Sequence, residues 1–190
     1  VEVIAVVVVG IVVAIVLIVL FWFVGTYNSL VSKKKRVENA WSQIDVQLKR
    51  RHDLIPNLVN AVKGYMKYER ETLEAVINAR AKAVAGGSID DRIKAEGELS
   101  GALSRLLAVF ERYPELKSNE QVKQLMEELT STENRITYAR QFYNDTVMKY
   151  NTSIEMFPTN LVAKMFNFKP FVFFEAAAAE KETPKVDLTF

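Results

Sequence analysis

Between Val3 and Val24 the chain carries no charge and is almost wholly Val, Ile, Leu, Ala and aromatic residues, with Gly10 the only interruption before Trp22. Wound as an α-helix, this stretch is about 33 Å long, close to the hydrocarbon thickness of a bilayer. A signal peptide would need a basic leading region, a shorter apolar run and small residues at a cleavage site. Here Val1 and Glu2 lead, and Phe21-Trp22-Phe23 stands where small residues would be required. A buried helix of a soluble domain rarely lacks polar residues over such a length. The segment therefore reads as a membrane span, and the remainder as a domain tethered beside a bilayer. Basic residues accumulate on the cytoplasmic side of a span. None precedes this one, whereas Lys33, Lys34, Lys35 and Arg36 come shortly after it. The expected orientation is single-pass, with the N-terminus outside and the rest cytoplasmic. Trp22, Phe23 and Tyr27 stand at the same end, where amphipathic rings settle among headgroups.

The roughly 160 residues beyond the span suffice for one compact domain and hardly for two. A formal charge of +2 and the lack of a Lys/Arg stripe interleaved with aromatics argue against a nucleic-acid partner. Residues 33 to 36 read better as a topology signal that also touches anionic headgroups. The absence of cysteine excludes disulfides, thiol chemistry and cysteine-ligated metal.

Helical periodicity dominates the chain beyond the span. Val37, Trp41, Ile44, Leu48, Ile55, Leu58, Val62 and Tyr65 recur in steps of three and four, with Arg51 the one polar member of the stripe. The phase runs through Pro56 unbroken, so the reading is one kinked helix, continuous with the span and reaching about Gly64. A reversal near His52-Asp53-Leu54-Ile55-Pro56 is the alternative. A second helix is expected over about 69–85 with Leu73, Ile77 and Val84 inward, ended by Gly86-Gly87-Ser88. Ser88 with Asp91 resembles a capping box opening a third helix. In that third helix Gly97 and Gly101 share a face, which would let a neighbouring helix approach closely. Tyr113-Pro114 forces a loop. A fourth helix is expected from about Ser118 to Phe157, with a stripe from Val122 through Tyr143, Val147 and Tyr150 to Phe157. Short loops between such helices give an antiparallel four-helix bundle, all-α in class. If the first helix leaves the membrane, the fourth returns towards it.

The chain thus divides into an anchor (1–27), a bundle (28–157), a Phe-rich segment (158–175), and a linker with a strand-like tail (176–190). Leu161, Met165 and Phe168 are helically spaced among Lys164 and Lys169, with Phe171, Phe173 and Phe174 beyond them. Together with Phe166, this suits either the bilayer interface or packing against the bundle or another subunit.

No catalytic constellation is present. His52 is the only histidine, so no metal motif that needs two can form. There is no phosphate loop, nucleophile elbow or nucleophile beside a base. Cofactors are therefore not expected, and Asp53 or Asp145, if buried beside basic partners, would serve to fix register. Asn57, Asn60, Asn134, Asn144 and Asn151, with Tyr138, Tyr143 and Tyr150, flank the two long stripes. A hydrogen-bonded network selecting one register is the simpler account of them.

Residues 27–31 (Tyr-Asn-Ser-Leu-Val) and the run from Val37 through Asn39, Trp41 and Asp45 to Arg51 resemble the opening of LemA family proteins. Asp53-Leu54-Ile55-Pro56-Asn57-Leu58-Val59 and Val62-Lys63-Gly64-Tyr65 continue the resemblance. So do Glu133-Asn134-Arg135-Ile136, Ala139-Arg140-Gln141-Phe142-Tyr143-Asn144 and Tyr150-Asn151-Thr152. The resemblance implies a bacterial cell-membrane protein with an anchored helical bundle and no established enzymatic activity. Its signature positions (Trp41, Asp45, Asp53, Pro56, Asn57, Tyr65, Asn134, Arg140, Tyr143, Asn144, Tyr150 and Asn151) are expected to be packing and assembly residues. The expected partners are the bilayer, further copies of the chain, and an unidentified protein. Self-assembly into a membrane scaffold is the functional expectation, and a tethered adaptor that recruits one partner is its rival.

Overall fold

The computed structural model describes residues 2–174, so the linker and tail expected over 176–190 lie outside the described residues. Six helices occur in order: α1 (Glu2–Val62), α2 (Arg70–Val84), α3 (Ile89–Phe110), α4 (Pro114–Lys117), α5 (Glu120–Glu155) and α6 (Thr159–Met165). There is no strand among the described residues, and the all-α expectation holds.

α1 is one helix of 61 residues with Pro56 inside it, so the alternative reversal does not occur. Proline has no N–H to offer the carbonyl four residues earlier, which here belongs to His52. The Nε–H of Arg80, on α2, donates to that carbonyl at 2.6 Å. A tertiary hydrogen bond thus replaces the helical one that Pro56 removes. The side chains of residues 2–22 are exposed throughout. A soluble core helix would bury at least one face, so α1 is a candidate membrane-spanning helix by composition, length and exposure.

The chain forms two compact units, and α1 and α5 supply both. The first joins residues up to Trp41 with Phe142–Phe171. Within it Trp41 meets Tyr143 edge to face at 5.6 Å, and the Lys33 ammonium donates to Ser153 Oγ at 2.6 Å. Descending numbers on α1 pair with ascending numbers on α5, so the two helices are antiparallel. Leu30, Val37, Ala40, Val147, Tyr150 and Ile154 fill the interior.

The second unit comprises Ser42–Gln141 and, of the described residues, 172–174. Its core draws on Ile55, Leu58 and Val62 of α1, Leu73 and Val76 of α2, Leu99, Leu103 and Leu106 of α3, Leu116 of α4, and Val122 and Leu129 of α5. Asp45 pairs with Arg92 and Arg51 with Ser100, so α1 and α3 run parallel, whereas Tyr65 meets Asn119 and Arg51 meets Glu133, so α1 and α5 run antiparallel. At the α2–α3 corner Gly86 and Gly87 have φ of +81° and +124°, a region that side-chain-bearing residues rarely enter. Ser88 then caps α3 in a full capping box with Asp91, as the sequence indicates.

Several inward assignments are corrected. Ile77 and Val84 of α2 face out, and Val76 and Ala83 take their place. The apolar stripe is rotated by one position because small alanines, poor sequence markers, complete the buried face. Tyr65 and Phe157, each at the end of a stripe, are also exposed. A Cβ built on Gly97 or Gly101 would meet nothing within 4 Å, so no close helix approach depends on them. α4 is a single unforeseen turn opening at Pro114, where proline's missing N–H costs nothing.

Candidate functional site: the aromatic end of the first unit

Aromatic side chains converge where α1 leaves its apolar stretch. Tyr27 stacks against Phe166 at 4.6 Å and Phe168 at 5.9 Å, and Phe23 lies 5.9 Å from Phe166. The segment that supplies these phenylalanines is held by α5. Asn167, at φ 54°, turns the chain out of α6 in the left-handed conformation that asparagine tolerates best among residues with side chains. The Tyr150 hydroxyl then donates to the Lys169 carbonyl at 3.1 Å. Asn151 makes a two-way clasp: its amide donates to the Phe171 carbonyl at 2.8 Å, and its carbonyl accepts from the Phe171 N–H at 3.0 Å. Tyr150 also stacks edge-on with Phe171 at 5.3 Å, and burial pushes its phenol above the usual tyrosine range.

α6 divides its faces sharply. Val162 and Ala163 are buried, while Leu161 and Met165, one turn apart, are 56% and 68% exposed. Phe157 (78%) and Phe166 (47%), which flank α6 in the chain, are also exposed, as is Trp22 of the same unit. Several large apolar side chains exposed along one short stretch of chain mark a candidate contact site. Transferring such half- to three-quarter-exposed side chains out of water stabilises by about 1–2 kcal/mol each.

The expected signature residues separate into groups. Trp41, Tyr143, Tyr150 and Asn151 join in the first unit, with Asn144 half-buried there. In the second unit Asp53, Asn57, Asn60 and Asn134 are not buried, and Tyr138 is 74% exposed, so they form no buried network. Exposed Asp145, too, is no buried register charge. Arg140 is half-buried, and Asp45 pairs with Arg92. Of the basic run, Lys35 pairs with Glu38 at 2.7 Å, Lys33 is held by Ser153, and Lys34 and Arg36 are exposed. Phe173 is exposed, whereas Phe174 is buried.

Sequence patterns alone did not reveal one buried polar group in the second unit. Arg51 and Glu96, both almost fully buried, form an ion pair, and Arg51 also donates to Glu133 at 2.8 Å and Ser100 at 2.8 Å. His52 Nε2 lies 2.7 Å from the other Glu96 oxygen. Burial pushes the Glu96 carboxyl up most strongly, but the His52 hydrogen bond and the Arg51 charge together outweigh it and hold the group below its ordinary range. The available signal was an arginine in the apolar stripe with the sole histidine directly after it.

The sequence profile of the LemA family matches residues 40–188. Protein LemA of Metamycoplasma hominis is 27% identical over 85% of this chain and 74% of its own length. Magnetosome protein MamQ 2 of Paramagnetospirillum magneticum is 27% identical, and MamQ of Magnetospirillum gryphiswaldense 26%. Each of those alignments covers 80% of this chain, which spans just under two thirds (66%) of either magnetosome protein. With most of its length matched by the profile, this chain belongs to the LemA family.

Proposed function

We propose that the protein is a single-pass bacterial membrane scaffold: α1 anchors it, the first unit rests on the bilayer surface, and copies of the chain associate through the helical bundle on the cytoplasmic side. It works by assembly rather than catalysis. The observation that carries the reading is the exposed apolar face of α6, flanked in the chain by exposed Phe157 and by Phe166, which packs onto the aromatic residues Phe23 and Tyr27 of α1. The resemblance to proteins named for the magnetosome is in keeping with a role in organising a cellular structure rather than in catalysis. Chemical cross-linking in native membranes tests it. Ladders of the chain with itself are expected at natural abundance, and monomer alone would overturn self-association.

A second reading is a tethered adaptor. It is favoured by an open groove of about 700 Å³ in the second unit, lined by residues including Phe110, Met126, Asn134, Arg135 and Tyr138. A stoichiometric partner recovered with wild-type protein, and lost with Tyr138→Ala, would favour this reading over self-assembly.

A further inference from the structure

We propose that the first unit carries a binding pocket for a phosphate-bearing polyanion, formed by Lys33 and Arg36 of α1 with Lys149 of α5. The pocket has a volume of about 320 Å³, and its lining is completed by Asn39, Phe142 and Thr146, with no carboxylate among these residues. That volume falls at the small end of ligand pockets, suited to a headgroup-sized ligand. Three cationic side chains line one concavity, and an anion bound there would be attracted by all of them. Their donors match phosphate: a guanidinium fork from Arg36, ammonium groups from Lys33 and Lys149, and the Asn39 amide. The site is partly preorganised. Lys33 is held by Ser153 Oγ at 2.6 Å, and the Ser153 hydroxyl itself donates to the Lys149 carbonyl at 2.7 Å.

Two observations distinguish this from general attraction of a basic run to anionic lipid. Lys149 comes from α5 and is no part of the run at 33 to 36, while Lys34 and Lys35 of that run do not line the pocket. Second, Lys33 also lines a neighbouring groove with Trp22, Thr26 and Ser29, so one face of α1 leads from the aromatic belt to the cations. Lys33 lies six residues past Tyr27, about 9 Å along the helix, at the outer edge of the headgroup layer. The ligand is therefore a phosphate on a lipid headgroup or a free polyphosphate of the same chemistry. The lipid arm rests on the membrane-proximal reading of this unit, not on self-association.

Full-length protein in detergent micelles is titrated with cardiolipin and, separately, with inorganic pyrophosphate, and binding is read by native mass spectrometry. Arg36→Ala with Lys149→Ala should weaken binding by about tenfold or more, the equivalent of losing one good charged contact. Lys34→Ala with Lys35→Ala, which removes as much charge, should weaken it less than about twofold, and Lys149→Arg should bind nearly as wild type. Loss confined to cardiolipin assigns the pocket to lipid, and the same loss with pyrophosphate assigns it to a soluble anion. Equal effects from the two charge-matched pairs, or none from either, would overturn the pocket. Cross-linked assemblies persisting alongside that result would leave the scaffold reading standing. Helix content by circular dichroism checks folding, and should the double variant misfold, Lys149→Gln against Lys149→Arg decides.

Discussion

In residues 2–41 and 142–171, α1 and α5 bury rings: Trp41 against Tyr143, and Tyr150 against Phe171. In residues 42–141 the same two helices bury aliphatic side chains around a charge cluster of Arg51, His52, Glu96 and Glu133. Polar groups serve opposite ends in the two units. In the first, Tyr150 and Asn151 hold the backbone of an irregular segment that the helices could not otherwise position. In the second, charged side chains hold one another between helices that aliphatic packing alone could align in more than one register. The contrast sets polar side chains that hold backbone in the first unit against charged side chains that hold one another in the second.

The charge cluster gives the largest expected loss. Glu96→Leu leaves His52 without its carboxylate and Arg51 with only the part-exposed Glu133 as counter-charge, and should destabilise the second unit by about 3–5 kcal/mol, read by thermal unfolding of the full chain in micelles. Adding Arg51→Met should recover much of that loss, because the pair and not either charge is what the interior tolerates. The wild type should also weaken in acid. Glu96 sits below its ordinary value of 4.5 in the folded state. Its contribution is therefore complete above that value and is lost as pH falls through the carboxylate range towards the depressed one. Glu96→Gln should flatten this part of the profile.

Next is the aromatic interior. Trp41→Ala removes a ring that is only 8% exposed and should cost about 3–5 kcal/mol, with no added acid dependence. A loss well under about 2 kcal/mol would mean that the rings of the first unit contribute less than their burial implies, narrowing the contrast.

Much of this was legible in the chain. The long apolar stretch of α1, the unbroken phase through Pro56, the Ser88 capping box and the glycine corner follow from local chemistry that tertiary contacts did not overrule. The face of α2 was not, because Ala79 and Ala83 bury as much of it as larger residues would mark. Nor were the partners of the asparagines. A side-chain amide beside an apolar stripe serves a neighbouring helix or a passing backbone equally well, and only the returning segment decides that Asn151 serves Phe171. The Arg51 cluster required knowing that residues 44 to 82 positions apart meet, a separation that periodicity does not encode.

Arg80 gives a smaller, sharper test of the second unit. Arg80→Met leaves the His52 carbonyl without its donor and should cost about 1–3 kcal/mol. In a Pro56→Ala background a backbone N–H is restored four residues on, so the same substitution should cost markedly less. Equal cost in both backgrounds would show that the guanidinium acts by packing rather than by replacing the helical bond.

An effect of no more than the same size is expected at Asn151, and it bears directly on the segment after α6. Asn151→Ala removes both bonds to Phe171, and at about 0.5–1.5 kcal/mol net per bond the loss should total roughly 1–3 kcal/mol. The Phe171 N–H, no longer donating, should exchange with solvent faster, while amides of α3 keep their protection. Asn151→Asp retains the acceptor and loses the donor, so it should fall between wild type and Asn151→Ala. Tyr150→Phe, which breaks only the Lys169 contact, should cost about one such bond. If all three variants left exchange at Phe171 unchanged, the segment would be held by its phenylalanines alone. The first unit would then position this segment by apolar contact alone.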